Sequence, residues 1–193
     1  MVQKRIIRAN KSCIEAAKSV LVIAFSSDPW TRWWWPESQV YLKNMAIFMH
    51  EYLSVSIPAK GTYVVEDSSG ASVWFPPGHS IDTEVLAPSI REIPESRKEY
   101  AFKMFDQFYQ CLPKEDHWYL PWVGVDPIHH GQGLGSLMLK KVLRMVDEEG
   151  KVAHLESSNP MNISLYERHG FKVISRIQEG DSPPIHPMTR QPQ

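Results

Sequence analysis

A glycine-rich segment in the second half of the chain constrains the fold more than any other feature. It reads Val123-Gly-Val-Asp-Pro-Ile-His-His-Gly-Gln-Gly-Leu-Gly-Ser136 and lies between an apolar run of strand length, 117–125, and an amphipathic helical pattern, 134–149. Glycine lets successive backbone N–H groups turn into one concavity. A helix start adds unpaired N–H groups and the positive end of the helix dipole. One glycine would suffice to cap a helix, so three at alternate positions favour a phosphate or pyrophosphate site.

Two other phosphate-binding motifs fit this segment poorly. A P-loop needs lysine before its serine or threonine, but Ser136 directly follows Gly135. The dinucleotide fingerprint needs glycine or alanine where Ser136 stands, although Glu156 lies at the spacing of its acidic residue. That fold also needs the glycine turn near the start of a long alternating α/β series. The dinucleotide interpretation is therefore weak.

The rest of the chain reads as a mixed α/β pattern, which we expect to form a single domain over residues 1–193. Hydrophobic periodicity and turn residues predict the elements. We expect strands at 6–8, 61–66, 71–75, 117–125, 152–157 and 171–177, and helices at 12–25, 37–54, 95–111, 134–149 and 159–169. A proline-rich loop fills 76–88, Gly170 forms a left-handed cap, and the tail holds at most one short strand.

Composition limits the class of protein. An apolar fraction of 42% and a net charge of −1 argue against disorder and against general attraction to nucleic acid or anionic membranes. Cys13 and Cys111 are too few for a disulfide framework, and we expect buried, reduced thiols. The apolar run 20–25 is too short to cross a bilayer, and no signal-peptide pattern opens the chain. We expect a cytoplasmic monomer or homodimer with no nucleic-acid or membrane partner.

Two motifs carry a family resemblance. The first pairs V-x-P with a later Q/R-x-x-G-x-G/A, and it is matched by Val125-Asp126-Pro127 and His130-Gly131-Gln132-Gly133-Leu134-Gly135. The second is N-x-x-A/N-x-x-x-Y-E-x-x-G-F, and it is matched by Asn159, Asn162, Tyr166, Glu167, Gly170 and Phe171. Both motifs resemble those of the GNAT superfamily of acetyl-CoA-dependent N-acetyltransferases. His130 departs from the usual Gln or Arg, and we expect it to alter coenzyme affinity rather than abolish it.

The resemblance extends to the puromycin N-acetyltransferase-like branch. Segments 118–137, 155–158 and 166–171 are similar to it, and segments 24–25 and 71–74 are similar more loosely. The superfamily resemblance implies a mixed, mostly antiparallel sheet flanked by helices, in which the parallel central strands 117–125 and 152–157 splay apart.

Acetyl-CoA is the co-substrate that the resemblance implies. Its pantetheine arm would pair with the backbone edge near Val123 and Val125, its pyrophosphate would sit on N–H groups of 131–136, and Asn159 and Asn162 would approach from the other side. The implied coenzyme-binding residues are Val123, Gly124, Val125, His130, Gly131, Gln132, Gly133, Leu134, Gly135, Ser136, Asn159, Asn162 and Tyr166.

Acetyl transfer to an amine needs an acid for the leaving thiolate, since a thiol has a pKa of about 8.5, and a base for the ammonium. Tyr166 matches the family's acid position. Glu156 is the favoured base, with His117 as a second candidate, although Glu156 is equally well read as a structural carboxylate. His129 and His130 diverge as neighbours and lack a third ligand, so we expect no metal.

An aromatic set comprises Trp30, Trp33, Trp34, Trp35, Trp74 and Phe75. It has three interpretations: an acceptor pocket, in which Arg32 could orient a carboxylate, a packed core, or a dimer surface. We expect direct acetyl transfer to a primary amine of a small molecule, with antibiotic-like amines among the candidates. A protein α-amine or lysine acceptor, and a non-catalytic acetyl-CoA sensor, are the alternatives.

Overall fold

The computed structural model describes residues 4–193, and one seven-stranded sheet organises them. The strands are β1 (Ile6–Arg8), β2 (Thr62–Val65), β3 (Gly70–Phe75), β4 (His117–Val125), β5 (Val152–Ser157), β6 (Lys172–Val173) and β7 (His186–Arg190). The helices are α1 (Ile14–Ala24), α2 (Pro29–Trp34), α3 (Ser38–Ser56), α4 (Ala87–Ile90), α5 (Glu95–Cys111), α6 (Leu134–Glu148) and α7 (Ile163–Glu167).

The sheet has the order β1-β2-β3-β4-β5-β7-β6. Every neighbouring pair is antiparallel except β4 and β5, which run parallel. This arrangement confirms the predicted fold class of a mostly antiparallel sheet with a parallel central pair.

The hairpin of β2 and β3 divides its side chains between two cores. Val64 and Val73 pack with residues of α1 and α3. Tyr63 and Trp74 pack with residues of α6. Because successive side chains of a strand point to opposite faces, α1 and α3 cover one face of the sheet and α6 covers the other.

A bulge in β4 separates its second half from β5. Val73 of β3 lies opposite Trp122, and Phe75 lies opposite Tyr119, so two steps on β3 match three on β4. Pro121 lies within the extra step, which suits a residue with no N–H to give to a ladder. β5 pairs with β4 only as far as Tyr119. The predicted splay of the two parallel strands is thereby confirmed.

Three predicted elements differ from the structure. The expected helix 159–169 is a 3-10 turn, Pro160–Asn162, followed by the five-residue α7. The second half of the expected loop 76–88 holds a 3-10 turn, Thr83–Leu86, and the first residues of α4. Pro88 fits there because a first helical turn needs no N–H from its proline. The expected strand 171–177 is reduced to β6 plus an isolated bridge between Ile177 and Ile185. Both β6 residues are exposed at the sheet edge, so little packing extends the strand.

The tail contributes one short strand, as predicted. β7 lies between β5 and β6 and pairs with β5 from Ala153 to Ser157. Cys13 and Cys111 are free thiols, but both are only partly buried rather than buried as expected. In the part of the chain that the structure describes, no helix has the length and apolar character needed to cross a membrane.

Candidate functional site

The glycine-rich loop connects β4 to α6 and exposes its backbone. Gly131 and Gly133 have φ of 75° and 77°, in the left-handed region that favours glycine. A Cβ at either position would meet no atom within 4 Å. Gly133 precedes α6 without any side-chain cap. The first N–H groups of α6, including that of the otherwise buried Leu134, therefore remain available to an anion.

Polar side chains close this loop on itself. Asp126 Oδ1 accepts from the N–H of Ile128 at 3.0 Å. His130 Nε2 lies 3.0 Å from the carbonyl oxygen of Val125. Since a carbonyl oxygen only accepts, Nε2 carries the proton in this contact. The exposed Gln132 side chain is 3.4 Å from His129 Nδ1. His130 thus braces the loop, which gives a physical role to the residue that departs from the family motif.

The backbone of β4 presents a free edge leading into this loop. The N–H of Asp126 donates to the carbonyl of Ser69 beside β3. Because residues of an antiparallel ladder face their partner alternately, the N–H groups of Val125 and Val123 point away from β3, toward the splay. Gly124 faces β3 instead, and its missing side chain serves packing: a Cβ there would lie 2.6 Å from that of Ala24 in α1.

Tyr166 is buried in α7 and packs edge-on against Phe171, with ring centroids 6.1 Å apart. Burial raises the pKa of Tyr166 above its usual value, and the nearby charge of Asp28 raises it further. The phenol therefore keeps its proton at neutral pH, as a proton donor must. Gly170 ends this segment with φ of 86°, which confirms the predicted left-handed cap.

Glu156 belongs to a hydrogen-bonded chain across β4, β5 and β7. Its Oε2 accepts from the hydroxyl of Tyr119 at 2.7 Å, and its Oε1 lies 2.9 Å from His154 Nε2. His154 is fully buried, and its Nδ1 is 3.0 Å from Thr189 Oγ1. Both carboxylate oxygens have protein partners, so the structural interpretation of Glu156 and its role as a base are both compatible with this geometry.

Aromatic rings surround Glu156 on the face covered by α1 and α3. Burial raises the pKa of Tyr52 and of Tyr119, and the charge of Glu156 is the next cause for each. Phe75 links them, with ring centroids 5.7 Å from Tyr52 and 6.4 Å from Tyr119. Burial also raises the pKa of the Cys111 thiol at the end of α5, and Glu156 contributes. These rings and one carboxylate form the apolar, anionic environment that suits an amine.

Asp28 is a buried carboxylate, although its sequence context predicts only the end of the preceding helix. Its Oδ1 caps α2 by accepting from the N–H of Thr31 at 3.0 Å, and its Oδ2 accepts from Ser158 Oγ at 2.6 Å. Burial raises the pKa of Asp28, against the lowering effect of these hydrogen bonds. The Asp-Pro pair could have been read as an N-cap followed by proline at the first helical position. The link to Ser158 had no local signal.

The tryptophan cluster packs into the core. Trp30, Trp33, Trp34 and Trp35 are each at most 6% exposed. Trp33 stacks on Trp30, and the other three contact phenylalanines of α3 and α5, namely Phe48, Phe105 and Phe108. Trp74 points to the opposite face of the sheet from Phe75. Arg32 donates to the carbonyl of Pro36 and lies over the ring of Tyr41. The structure thus favours the core interpretation for the tryptophans and leaves Phe75 beside Glu156.

The remaining candidates occupy the start of α7, the first turn of α6 and the start of β4. Asn159 Oδ1 accepts from the N–H of Met161 at 3.0 Å, whereas the Asn162 side chain is exposed and makes no capping bond. Ser136 Oγ lies 2.7 Å from His169 Nε2. A Cβ on Gly135 would make ordinary contact with Leu165, at 3.5 Å. His117 Nδ1 is 2.9 Å from the carbonyl of Glu115.

Among residues 4–193, no group of three or more histidine, cysteine, aspartate or glutamate side chains is arranged to hold a metal ion. His129 and His130 instead make the loop contacts described above.

One stretch of the chain matches the model of a known protein family. Residues 99–171 match the model of the Acetyltransferase (GNAT) family. This stretch runs from α5 through the glycine-rich loop to Phe171. The chain is also similar to an uncharacterized N-acetyltransferase of Schizosaccharomyces pombe, at 27% identity over 199 residues that cover 92% of this chain and 79% of that protein.

Solved structures share the fold. One is described as histone acetyltransferase HPA2 and related acetyltransferase, from Corynebacterium glutamicum, with 23% identity, a TM-score of 0.73 and coverage of 100% of this chain and 98% of that chain. Another is arylalkylamine N-acetyltransferase 2 from Aedes aegypti, with 14% identity, a TM-score of 0.72 and coverage of 99% and 100%. The family match covers residues 99–171, and the similarity to these two structures shows a shared fold.

Proposed function

We propose that this chain is an N-acetyltransferase that moves the acetyl group of acetyl-CoA directly to a primary amine of a small molecule. The observation that carries this proposal is the free edge of β4 beyond its bulge, which is followed, after the 3-10 turn Pro127–His129, by the N–H-lined turn at Gly131 and Gly133. An extended pantetheine arm would pair with Val123 and Val125, and a pyrophosphate would bind at the start of α6.

Tyr166 is the proposed acid. The amine nitrogen attacks the thioester carbonyl, the carbon–sulfur bond breaks, and the departing sulfur takes the phenolic proton. A buried phenol whose pKa is raised holds that proton until negative charge develops on sulfur. The tyrosinate then recovers a proton from solvent or from the proton released by the amine.

Glu156 is the proposed acceptor of the ammonium proton. Its carboxylate is held by Tyr119 and His154 and lies beside a group of aromatic rings, where it would attract an ammonium ion. His117 is the weaker candidate, since its Nδ1 contacts a backbone carbonyl at the start of β4. The same rings favour an acceptor amine with an aromatic or apolar body.

The narrower assignments are part of this proposal. We propose that residues 1–193 act as one catalytic domain in the cytoplasm, and that puromycin-like amines belong among the acceptors to be tested because of the motif resemblance. A peptide α-amine or lysine acceptor is the second candidate for the same chemistry, because the segment between β3 and α4 holds exposed acidic residues, Asp82 and Glu84.

Release of free coenzyme thiol from acetyl-CoA tests the proposal. The panel contains puromycin, polyamines, aromatic amines, amino acids and peptides with free N-termini. We expect amine-dependent release by the wild type and a loss of about a hundredfold or more in Tyr166→Phe, with coenzyme affinity retained. The matched control is Tyr63→Phe, whose buried hydroxyl lies near Arg8 and Met145 on the α6 side of the sheet.

Three results would contradict parts of the proposal. Release that is equal in Tyr166→Phe and the wild type would remove Tyr166 as the acid. Tight acetyl-CoA binding without release for any acceptor class would favour a sensor over an enzyme. Failure to bind acetyl-CoA would overturn the proposal as a whole.

A further inference from the structure

His169 connects the first turn of α6 to the end of α7. Its Nε2 lies 2.7 Å from Ser136 Oγ, and Ser136 belongs to the N–H-lined turn at the start of α6. Burial lowers the pKa of His169, and the charges of Lys140, Arg168 and Arg190 lower it further. Three cationic side chains therefore converge around one imidazole that is neutral at pH 7.

These cations differ in whether a carboxylate already neutralises them. Arg190 is buried and donates to both oxygens of Asp147, at 2.6 Å and 2.8 Å, while its Nε donates to the carbonyl of His169. Lys140 and Arg168 have neither an ion pair nor a side-chain hydrogen bond with any residue of the described range 4–193. Two positive charges thus stand beside His169 without compensation, on a background of near-neutral net charge.

A surface cavity of about 540 Å³ opens at this cluster. Its lining includes Lys140, Arg168, His169 and Arg190, and the buried Leu143 forms part of its wall. Two carboxylates also line it, Asp147, which is paired with Arg190, and Glu148. Arg144 on the same rim is paired with Glu148 at 3.3 Å. The cavity therefore combines concave shape with cations that have no internal partner, which suits a small anion more than an apolar ligand.

We infer that this cavity, named here the α6–α7 cation pocket, binds the 3′-phosphate of coenzyme A. The inference rests on the proposed function, because it takes the pyrophosphate to lie at the first turn of α6. Lys140 follows Ser136 by four residues on the same helix face, so it lies about 6 Å further along the helix. One ribose separates the 3′-phosphate from the pyrophosphate, and that span brings the phosphate to Lys140 and Arg168.

The pocket makes the ribose phosphate a determinant of coenzyme choice. The doubly charged 3′-phosphate of coenzyme A gains two cationic partners, Lys140 and Arg168. An analogue without the 3′-phosphate leaves both cations in solvent. Each exposed pair contributes modestly, so their combined effect is about tenfold in the dissociation constant. The preference weakens as salt rises, because both cations are exposed and screened.

Titration calorimetry with coenzyme A and with 3′-dephospho-coenzyme A tests the inference. The wild type should bind coenzyme A about tenfold more tightly, and the double variant Lys140→Ala/Arg168→Ala should bind the two ligands equally. The control is Lys141→Ala. Lys141 is the neighbour of Lys140 in sequence, but it lines a second surface cavity and not the α6–α7 cation pocket. This control variant should keep the preference of the wild type.

The outcomes separate this inference from the proposed function. Equal binding of both ligands by the wild type overturns the pocket while the acetyltransferase proposal stands. A preference that survives in the double variant also overturns it, because the phosphate is then read elsewhere. Inorganic phosphate that binds with an affinity equal to that of coenzyme A would show a free-phosphate site instead. Failure of both ligands to bind would overturn the inference together with the proposed function.

Discussion

Ser158 donates a 2.6 Å hydrogen bond to the carboxylate of Asp28, which lies 130 residues earlier in the chain. This bond joins the turn before α2 to the end of β5. His154, Glu156 and Ser158 alternate along β5 and its extension, so they share one face of the sheet. Glu156 and the Ser158–Asp28 pair therefore line the same side of the splay, and the charge of Asp28 acts on Tyr166. Two carboxylates thus set the electrostatics of the proposed active site.

Asp28 should make stability depend on pH. Burial raises the pKa of Asp28 in the folded protein above its ordinary 3.8, so the folded state binds the proton more tightly than the unfolded state does. The stability linked to that proton is present below pH 3.8 and is lost as pH rises through the folded-state pKa.

Asp28→Asn removes this titration and keeps a side chain able to cap α2. The urea unfolding midpoint of Asp28→Asn minus that of the wild type should therefore rise as pH increases above about 4. A difference between the two proteins that stays constant with pH would show that the carboxyl does not titrate as its burial requires.

Gly133→Ala tests the glycine turn. The φ of 77° strains any L-residue, and the added methyl would enter open space, where the proposed coenzyme would lie, rather than contact the protein. We expect a loss of about 1–2 kcal/mol in the free energy of unfolding. We also expect a fall of about tenfold or more in acetyl-CoA affinity, since the backbone must approach the phosphates closely.

Gly150→Ala is the matched control for the glycine turn. Gly150 has φ of 62°, has the same open surroundings, and lies beyond the other end of α6. It should show a similar loss of stability and unchanged affinity. Equal affinity losses in the two variants would mean that the effect is one of strain alone.

Gly124→Ala should be the most destabilising of the glycine changes. Its Cβ would lie 2.6 Å from that of Ala24 and 3.1 Å from Leu21 Cδ2, so α1 would be pushed off β4. Overpacking of this kind costs about 1–3 kcal/mol in the free energy of unfolding. Gly135→Ala, whose methyl would make only ordinary contact, should be neutral or slightly stabilising within α6. Urea denaturation of both variants compares their free energies of unfolding. A Gly124→Ala variant as stable as Gly135→Ala would show that β4 can move away from α1 without cost.

His169 should couple coenzyme binding to protons. Burial and, after it, the cations around His169 lower its pKa in the free protein, and an arriving phosphate would offset the cations and raise that pKa. We expect proton uptake on binding, seen by calorimetry in buffers of different ionisation enthalpy. As pH falls from 7.5 toward 6, the coenzyme A affinity of the wild type should rise relative to that of His169→Asn. Titration of the ligand itself is common to both proteins and cancels from this ratio. An unchanged ratio would remove His169 from the binding site.

The sequence predicted what short-range chemistry determines. Strand β4, the glycine turn and the start of α6 follow from local apolar patterns and glycine positions, and the left-handed φ of Gly170 follows from its place after a helix. The family motifs located Tyr166 and the loop. The structure adds to these positions the exposed backbone at Gly131 and Gly133.

The rest depends on contacts between distant parts of the chain. The bulge at Pro121 is a matter of register between β3 and β4, which hydrophobic alternation does not encode. The Asp28–Ser158 bond and the pairing of β7 with β5 join segments that carry no matching local signal. The aromatic set was ambiguous for the same reason, because only the sheet decides that Trp74 and Phe75 face opposite ways.

The insertion of β7 between β5 and β6 has a consequence for how the molecule opens. β6 reaches the sheet only through β7, so it leaves the sheet together with β7 when β7 separates from β5. The two strands form a hairpin-like flap that is joined to β5 by five residue pairs and to α6 by the ion pair of Arg190 with Asp147. Amide protons on both sides of that flap should therefore exchange with solvent together, as one cooperative unit, while the strands on the other side of β5 remain protected.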